Sequence, residues 1–262
     1  MSNSLIIPTG TLIETLPAMA RLGAILLFVP VPGMRAIPAA ARVLLVVSLG
    51  WMLGPRIPKI GIDRFSPITI AGSVAREAAM GVALGVVIAF MAETLVFAVQ
   101  CIVMQAGFSY ASTIDPNSEA DSSVLQIFYQ LFANMLFFTC GGDVLVLRAI
   151  TQHLGNHSMA APSSDTLVHS LIASGAVMME LGLRLAAPLA AFLFLCDLTL
   201  AVLGRVHSQL QLLSMGFPTK MLCALFLLAA LGPMAVSIYQ RALNQAASVM
   251  HQFSRWGLNH GQ

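Results

Sequence analysis

Residues Ile68–Ala111 read ITIAGSVAREAAMGVALGVVIAFMAETLVFAVQCIVMQAGFSYA, and nearly all of these about 44 residues are apolar. About 20 apolar residues in a helix already cross the roughly 30 Å hydrocarbon core of a bilayer. One straight helix of the whole stretch would reach about 66 Å, so we expect a break or a hairpin within it. The weak points are Gly81–Gly85 and the polar residues around Gln100 and Gln105. The stretch therefore predicts membrane helices with an internal break.

The composition of the whole chain agrees with a membrane location. Of 262 residues, 58% are hydrophobic and only 9% are charged, whereas ordinary soluble domains have about 45–50% apolar and about 25% charged residues. This composition excludes an ordinary soluble domain and a disordered chain. The net charge of +2 and the absence of a basic run argue against a nucleic-acid partner. We therefore expect lipid, other apolar protein surface, or both around this chain.

Five further apolar runs flank the long stretch. In chain order they are Leu12–Val31, Val43–Leu53, Val124–Ile150, Leu167–Leu203 and Met221–Ile238, the last followed by a moderately polar tail to Gln262. Cys140–Asp143 interrupts the run that begins at Val124, and we expect Pro188 to kink or divide the run that begins at Leu167. Because the first cationic side chain, Arg21, already lies inside an apolar run, we expect no cleaved signal peptide.

These runs together predict the fold class. The sequence has no ten-residue segments of alternating hydrophobicity, which are typical of membrane β-barrels. We therefore predict an all-α integral membrane protein of about six apolar segments, with residues 1–262 forming a single membrane domain.

Charged residues inside the apolar runs are unusual. They are Arg76, Glu77, Glu93, Glu180, Arg184 and Asp197. A charge at bilayer depth costs about 2.5–3.5 kcal/mol on insertion scales. Glu180 precedes Arg184 by one helical turn, which is the favourable order for an ion pair. We expect these side chains to face protein, in part other subunits, in preference to the alternative that they snorkel near the ends of the spans.

The sequence offers no set of residues for catalysis. None of the six histidines forms an H-E-x-x-H motif, and neither a phosphate-binding loop nor a dinucleotide fingerprint occurs. The string Gly107–Ala111 lacks the second glycine of a nucleophile elbow, and no two of the four cysteines have the spacing of a C-x-x-C pair. We predict that the chain is not an enzyme, has no catalytic residue, and needs neither a metal nor a cofactor.

Three motifs suggest a family. They are FVPVPGMRAIP at Phe28–Pro38, QAGFSYASTIDP at Gln105–Pro116, and QLQLLSMGFPTK at Gln209–Lys220. In order and spacing these motifs resemble the FliR family of type III secretion export-apparatus subunits, which includes flagellar proteins and their injectisome counterparts. The resemblance covers nearly the whole chain.

The resemblance implies a function and a set of partners. Members of this family assemble with P-type and Q-type subunits, one copy of the FliR-type subunit closes their helical ring, and an FlhB-type subunit docks alongside. The resemblance therefore implies a structural and gating subunit of the flagellar type III channel, through which unfolded flagellar polypeptides leave the cytoplasm. It further implies kinked helical hairpins packed into an export-gate assembly, in contact with lipid, in the bacterial inner membrane at the flagellar basal body.

The resemblance also places a plug loop at about Gln105–Val124, directly after the Q-x-G-F-S motif. Its candidate plug or gate residues are Gln105, Gly107, Phe108, Ser109, Ser112, Asp115, Pro116 and Asn117. Gly107 permits an unusual turn, serine hydroxyls can satisfy backbone groups freed at a helix break, and Asp115-Pro116 is expected to end the helix. The chain would then divide into an N-terminal helical part (1–111), a plug-like loop (112–123), C-terminal hairpins (124–240) and a tail (241–262). The alternative is an ordinary connecting loop.

Two further groups of residues follow from the resemblance. Arg35, Pro38, Gly216, Phe217 and Pro218 are expected at structural turns, with Gly216–Pro218 making a tight bend that folds the last apolar helix back. The candidates for buried polar residues or subunit contacts are Glu180, Arg184, Asp197 and Gln209. For Asp197 the expected role is an interhelical hydrogen bond, worth about 0.6–2 kcal/mol in membranes, with a proton relay as the alternative.

Departures and alternatives remain. Ser208 and Ser123 stand where the family usually has proline, and Asp143 where it often has histidine, which affects the details of the plug and the last hairpin.

The close alternative is the injectisome version of the same subunit. A more distant one is a stand-alone secondary transporter, because interrupted apolar segments with internal charges are typical of such proteins. The two halves of the sequence show no repeat that can be aligned, which argues against a transporter.

Overall fold

The computed structural model describes residues 9–29, 38–53, 66–108, 123–155, 164–206 and 212–259. Within these ranges the chain forms eight helices and no strand, which confirms the all-α prediction. The helices are α1 (Thr9–Phe28), α2 (Ala39–Leu53), α3 (Pro67–Ala106), α4 (Ser123–Thr139), α5 (Gly142–Gly155), α6 (Ser164–Val206), α7 (Leu212–Ala230) and α8 (Gly232–Asn259). The predicted tail from residue 241 is helical as far as Asn259.

The two longest helices are continuous. α3 has 40 residues and α6 has 43. The break predicted at Gly81–Gly85 was therefore wrong; within Ile68–Ala111 the helix ends only at Ala106, directly after Gln105, which was the other predicted weak point. Pro188 does not divide α6. Gly81 and Gly85 are positions of close helix packing in α3, as described below. At Pro188 the helix loses one backbone hydrogen bond, but Leu185 and Leu189 on the flanking turns are buried and hold the helix in place.

Two helix pairs are sharply bent. α4 and α5 meet at 58°, and α7 and α8 at 59°. The first break is the predicted one at Cys140–Asp143, where Gly141 adopts a φ of 80°. The second, at Leu231, was not predicted, although Gly232-Pro233 signals it, because proline has no N–H to continue the helix and is favoured in a first turn.

The lengths and compositions of these helices fit an integral membrane protein. Among the described residues, Pro67–Ala106 and Leu167–Arg205 are long and apolar enough to cross a bilayer, and their most apolar 18 residues have mean hydropathies of 2.4 and 2.1. Counting each bent pair as one broken span gives up to four spans. Because backbone groups at membrane depth must be satisfied within the chain, a helical fold is the expected solution.

The chain divides into two compact units. The first comprises residues 1–90, 141–174 and 245–262, and the second comprises residues 91–140 and 175–244. In the first unit α1 packs against α2 and against the N-terminal half of α3, with Leu22, Ile25 and Leu84 fully buried. The organisation of residues 1–262 as a single membrane domain stays a prediction.

The second unit is built around the C-terminal half of α3. A Cβ atom placed on Gly182 of α6 would lie 2.6 Å from the ring of Phe97 and 3.2 Å from the carbonyl oxygen of Thr94, so these two helices approach closely. Ile102 and Leu193 are fully buried here. Small residues at such contacts are typical of helix packing in membranes.

Candidate functional site

The C-terminus of α3 leads into the predicted plug. Gly107 has a φ of 87°, its N–H donates to the carbonyl oxygen of Met104 at 3.2 Å, and the N–H of Phe108 donates to the carbonyl oxygen of Val103 at 3.3 Å. This pair of hydrogen bonds around a left-handed residue is a Schellman motif, which glycine favours. Gly107 therefore ends α3 and sets the direction in which the chain leaves it.

This geometry corrects the predicted helix end. α3 stops at Ala106, well before Asp115-Pro116, because Gly107 caps it first. Gln105 and Phe108 are half-buried beside the cap. The other predicted plug residues, Ser109, Ser112, Asp115, Pro116 and Asn117, lie outside the described residues.

The structure agrees with the predicted structural turns at some positions and not at others. Pro38 begins α2, and its carbonyl oxygen accepts hydrogen bonds from the N–H groups of Ala41 at 3.0 Å and Arg42 at 3.2 Å. Arg35 lies outside the described residues. Gly216, Phe217 and Pro218 all lie within α7, so the tight bend predicted there was wrong. Gly216 has helical dihedrals, and the apolar residues on either side continue the helix through Pro218.

A buried ion pair connects α1 to α3. The guanidinium of Arg21 contacts the carboxylate of Glu77, and the two side chains are only 10% and 16% exposed. Both residues are visible in the sequence as charges inside apolar runs, but their pairing is not. A buried charge without its partner is costly, so this pair requires α1 and α3 to stay together.

A glycine stripe follows the ion pair along α3. Gly81 and Gly85 lie one and two helical turns after Glu77. A Cβ atom on Gly81 would overlap the backbone carbonyl oxygen of Arg21 and lie 2.8 Å from Cβ of Ala24. On Gly85 it would lie 3.0 Å from Cβ of Phe28. We call the Arg21–Glu77 pair and these two glycines the α1–α3 joint.

A second ion pair connects α6 to α7. Lys220 Nζ donates a hydrogen bond to Asp197 Oδ2 at 2.8 Å, and the two side chains are 12% and 41% exposed. Asp197 therefore makes an interhelical hydrogen bond within this chain. The sequence singled out Asp197 but not Lys220, whose position in the third motif was the available signal.

A third ion pair lies on the outward face of α6. Arg184 Nη2 contacts Glu180 Oε1 at 2.6 Å, and both side chains are exposed, 65% and 56%. Gly182 and Leu185, between and beside them, are buried on the opposite side of the helix. Gln209, the remaining predicted polar contact, lies outside the described residues.

The chemistry of these groups is that of helix joining. The part of the chain that the structure describes contains no cluster of three or more histidine, cysteine, aspartate or glutamate side chains able to hold a metal ion. Four ion pairs are present among the described residues, and two of them connect different helices. The arrangement can hold helices in register and present an ion pair on an apolar surface.

Comparison with known proteins adds independent information. A family model described as Bacterial export proteins, family 1, matches residues 12–246. The chain is 24% identical over 233 residues to the flagellar biosynthetic protein FliR of Escherichia coli (strain K12), covering 88% of this chain and 89% of that protein. It is 26% identical over 232 residues to the flagellar biosynthetic protein FliR of Bacillus subtilis (strain 168), covering 84% and 87%.

A relative with a different name also matches. The surface presentation of antigens protein SpaR of Shigella flexneri is 30% identical to the chain over 129 residues, which is 47% of this chain and 48% of that protein. The matches to the flagellar proteins thus extend over nearly twice as much of the chain.

Proposed function

The chain belongs to the bacterial export proteins, family 1, and from this premise we propose that it is the structural and gating subunit of a flagellar type III export channel. The family match confirms the resemblance seen in the three motifs. The names of the relatives that cover most of the chain support a component of the flagellar export apparatus. An integral membrane fold agrees with that role.

The observation that carries the structural part of this proposal is the outward ion pair on α6. Every run of about 20 consecutive residues within Leu167–Arg205 contains Glu180, Arg184 or Asp197, so α6 cannot span a bilayer core without one of them. Asp197 is paired with Lys220 inside the chain. Glu180 and Arg184 are exposed, and any span of α6 that includes them would expose them to hydrocarbon at a cost. A neighbouring subunit that covers this face removes that cost.

The extent of burial supports the same proposal. The most apolar 18 residues of α6 are only 22% buried within the chain, compared with 67% for the most apolar 18 residues of α3. This part of α6 thus offers most of its surface to its surroundings. We propose that P-type and Q-type subunits cover part of it, that an FlhB-type subunit docks alongside, and that lipid meets the rest, in the bacterial inner membrane at the flagellar basal body.

The gating part of the proposal depends on Gly107. Its left-handed conformation ends α3 within the predicted plug loop of about Gln105–Val124. We propose that this loop is a plug that closes the channel until an unfolded flagellar polypeptide passes. The glycine cap and the matching motif support this role.

The direct test is purification of a tagged copy from its own host in mild detergent, followed by mass spectrometry. We expect P-type, Q-type and FlhB-type flagellar subunits to co-purify. Recovery of injectisome relatives instead would assign the chain to that system, which the partial match to SpaR keeps as the second candidate. A stable, partner-free species that catalyses transport would contradict the proposal and support a secondary transporter.

A further inference from the structure

A large apolar cavity lies within the second unit. Its volume is about 390 Å³, and residues of α3, α4, α6, α7 and α8 line it, together with Leu231 at the α7–α8 bend. Leu95, Leu185 and Leu228 are among its deeply buried lining residues and are 3%, 1% and 3% exposed. The proposed export function makes no use of this space.

The lining excludes water as the occupant. All of the lining side chains are apolar except the phenol of Tyr129, and a buried water needs about two to four polar partners. Leaving such a volume empty forfeits packing contacts around its whole wall. The occupant with matching chemistry is therefore a hydrocarbon.

The volume matches an acyl chain. A cavity of about 150 Å³ lined by leucine, isoleucine and phenylalanine holds one benzene molecule of six carbons. Scaled from that ratio, this cavity has room for about 15 carbon atoms, which is the length of a phospholipid tail. A whole helix, with a diameter of about 10–12 Å, is too wide for this space.

The cavity opens at the surface of the chain, between segments long and apolar enough to lie in a membrane. Phe128 and Leu225 line it and are also 59% and 41% exposed. Both belong to candidate membrane-spanning segments, as do the deep residues Leu95 and Leu185. The ring of Tyr129 makes edge-to-face contacts with Phe128 at 5.4 Å and with Phe132 at 6.3 Å, which gives one wall a continuous aromatic surface.

From its volume, its apolar lining and its mouth between candidate membrane-spanning segments, we propose that this cavity binds one acyl chain of a membrane phospholipid. The acyl chain enters between Phe128 of α4 and Leu225 of α7 and fills the space behind the α7–α8 bend. The bound tail thereby supplies the packing that the bend removes from the second unit.

The test uses the full chain, in its purified assembly, reconstituted into vesicles of phosphatidylethanolamine whose acyl chains carry a diazirine. After irradiation, labelled peptides are mapped by mass spectrometry. We expect labelling of the deep residues Leu95 and Leu185, which the outer lipid cannot reach. Labelling restricted to outer residues such as Phe226, which is 76% exposed, would overturn the proposal, including the case in which a partner subunit's side chains fill the cavity.

Two variants fill the cavity. A Cβ atom on Gly232 meets no atom within 4 Å, so Gly232→Leu places its side chain in open space, and Ala229→Phe adds a ring at the mouth. Both should lose the labelling at Leu95 and Leu185. Ala230→Phe, an exposed neighbour that does not line the cavity, is the matched control and should keep it. Retention of deep labelling in both filled variants would overturn the proposal, and this readout does not depend on whether the chain serves export.

Discussion

Gly107 is the single residue on which the exit from α3 depends. Its φ of 87° lies in the left-handed region, where a residue with a Cβ atom is strained by about 1–2 kcal/mol. The two hydrogen bonds of the Schellman motif hold it there, so a substituted side chain must either accept the strain or redirect the chain. Gly107 lies within the predicted plug loop, so we expect a local change here to affect the proposed gate.

The substitution Gly107→Ala is expected to lower the stability of the purified assembly by about 1 kcal/mol and to increase ion leak through the channel. The melting temperature and the ion conductance of reconstituted vesicles measure the two effects. Gly72→Ala is the matched control, because Gly72 is also in α3, has no atom within 4 Å of an added Cβ, and should be stabilised slightly by the helix propensity of alanine. If vesicles with the Gly107→Ala variant leak ions no faster than vesicles with the parent protein, the gating role is contradicted.

At the scale of helices, the α1–α3 joint combines charge and close packing. The Arg21–Glu77 pair lies at one end of the contact and Gly85 at the other. Without a hydrophobic difference between lipid and protein side chains, helices in a membrane associate through such close packing and polar contacts. The joint therefore accounts for the position of α1, whose apolar composition alone does not select a neighbour.

Gly81→Ala should separate α1 from α3. The added Cβ would overlap the backbone carbonyl oxygen of Arg21, which a side-chain rotation cannot relieve, so we expect a loss of about 1–3 kcal/mol. Thermal denaturation in detergent measures the loss, with Gly72→Ala again as the control on the same helix. Unchanged stability of Gly81→Ala would mean that the close contact is not maintained in the assembled protein.

The ion pair of the joint predicts a non-additive pair of variants. Arg21→Met or Glu77→Leu alone leaves a buried charge without its partner and should cost about 3–5 kcal/mol. The double variant removes both charges and should recover most of that loss. A double-mutant cycle on melting temperatures measures the coupling, and additive effects would show that the two side chains do not depend on each other.

For the whole molecule, the two long helices have different surroundings. The most apolar 18 residues of α3 are 67% buried by this chain, whereas those of α6 are only 22% buried, and α6 carries an ion pair on its outward face. A subunit that presents a long apolar helix with a central charge pair is suited to an assembly in which another protein completes its surface. Belonging to the bacterial export proteins agrees with that arrangement.

Neutralising the exposed Glu180–Arg184 pair tests whether a partner subunit covers this face of α6. In Glu180→Gln/Arg184→Gln we expect reduced recovery of partner subunits, because the covering surface loses its charged counterpart, while the chain itself still folds. The matched control is Asp165→Asn/His169→Gln, which removes another exposed pair at the same helical spacing on α6. Quantitative mass spectrometry of the purified complexes gives the comparison. Equal recovery in both would place Glu180 and Arg184 at the membrane–water interface instead.

Only part of the candidate site could be predicted from residue types and motifs. The sequence identified Gly107 as a turn and Asp197 as an interhelical hydrogen bonder from residue type and motif alone. It placed the bend of the last hairpin at Gly216, where the structure has a helix, and overlooked Gly232-Pro233, where the helix does bend. Glycine and proline mark a helix break only where the surrounding packing does not hold the helix together. At Gly81, Gly85 and Pro188 the packing does hold it, and the helix continues.

The sequence by itself determined that this protein is all-helical, lies in a membrane and resembles a family of export subunits, because composition, the length of apolar runs and motifs are properties of neighbouring residues. Only the tertiary structure decided that Arg21 pairs with Glu77, that Asp197 pairs with Lys220, and that the apolar residues of five helices leave a cavity. These contacts join residues distant in the chain. Which partners meet depends on how the helices pack, and an apolar surface facing lipid has the same composition as one facing another helix.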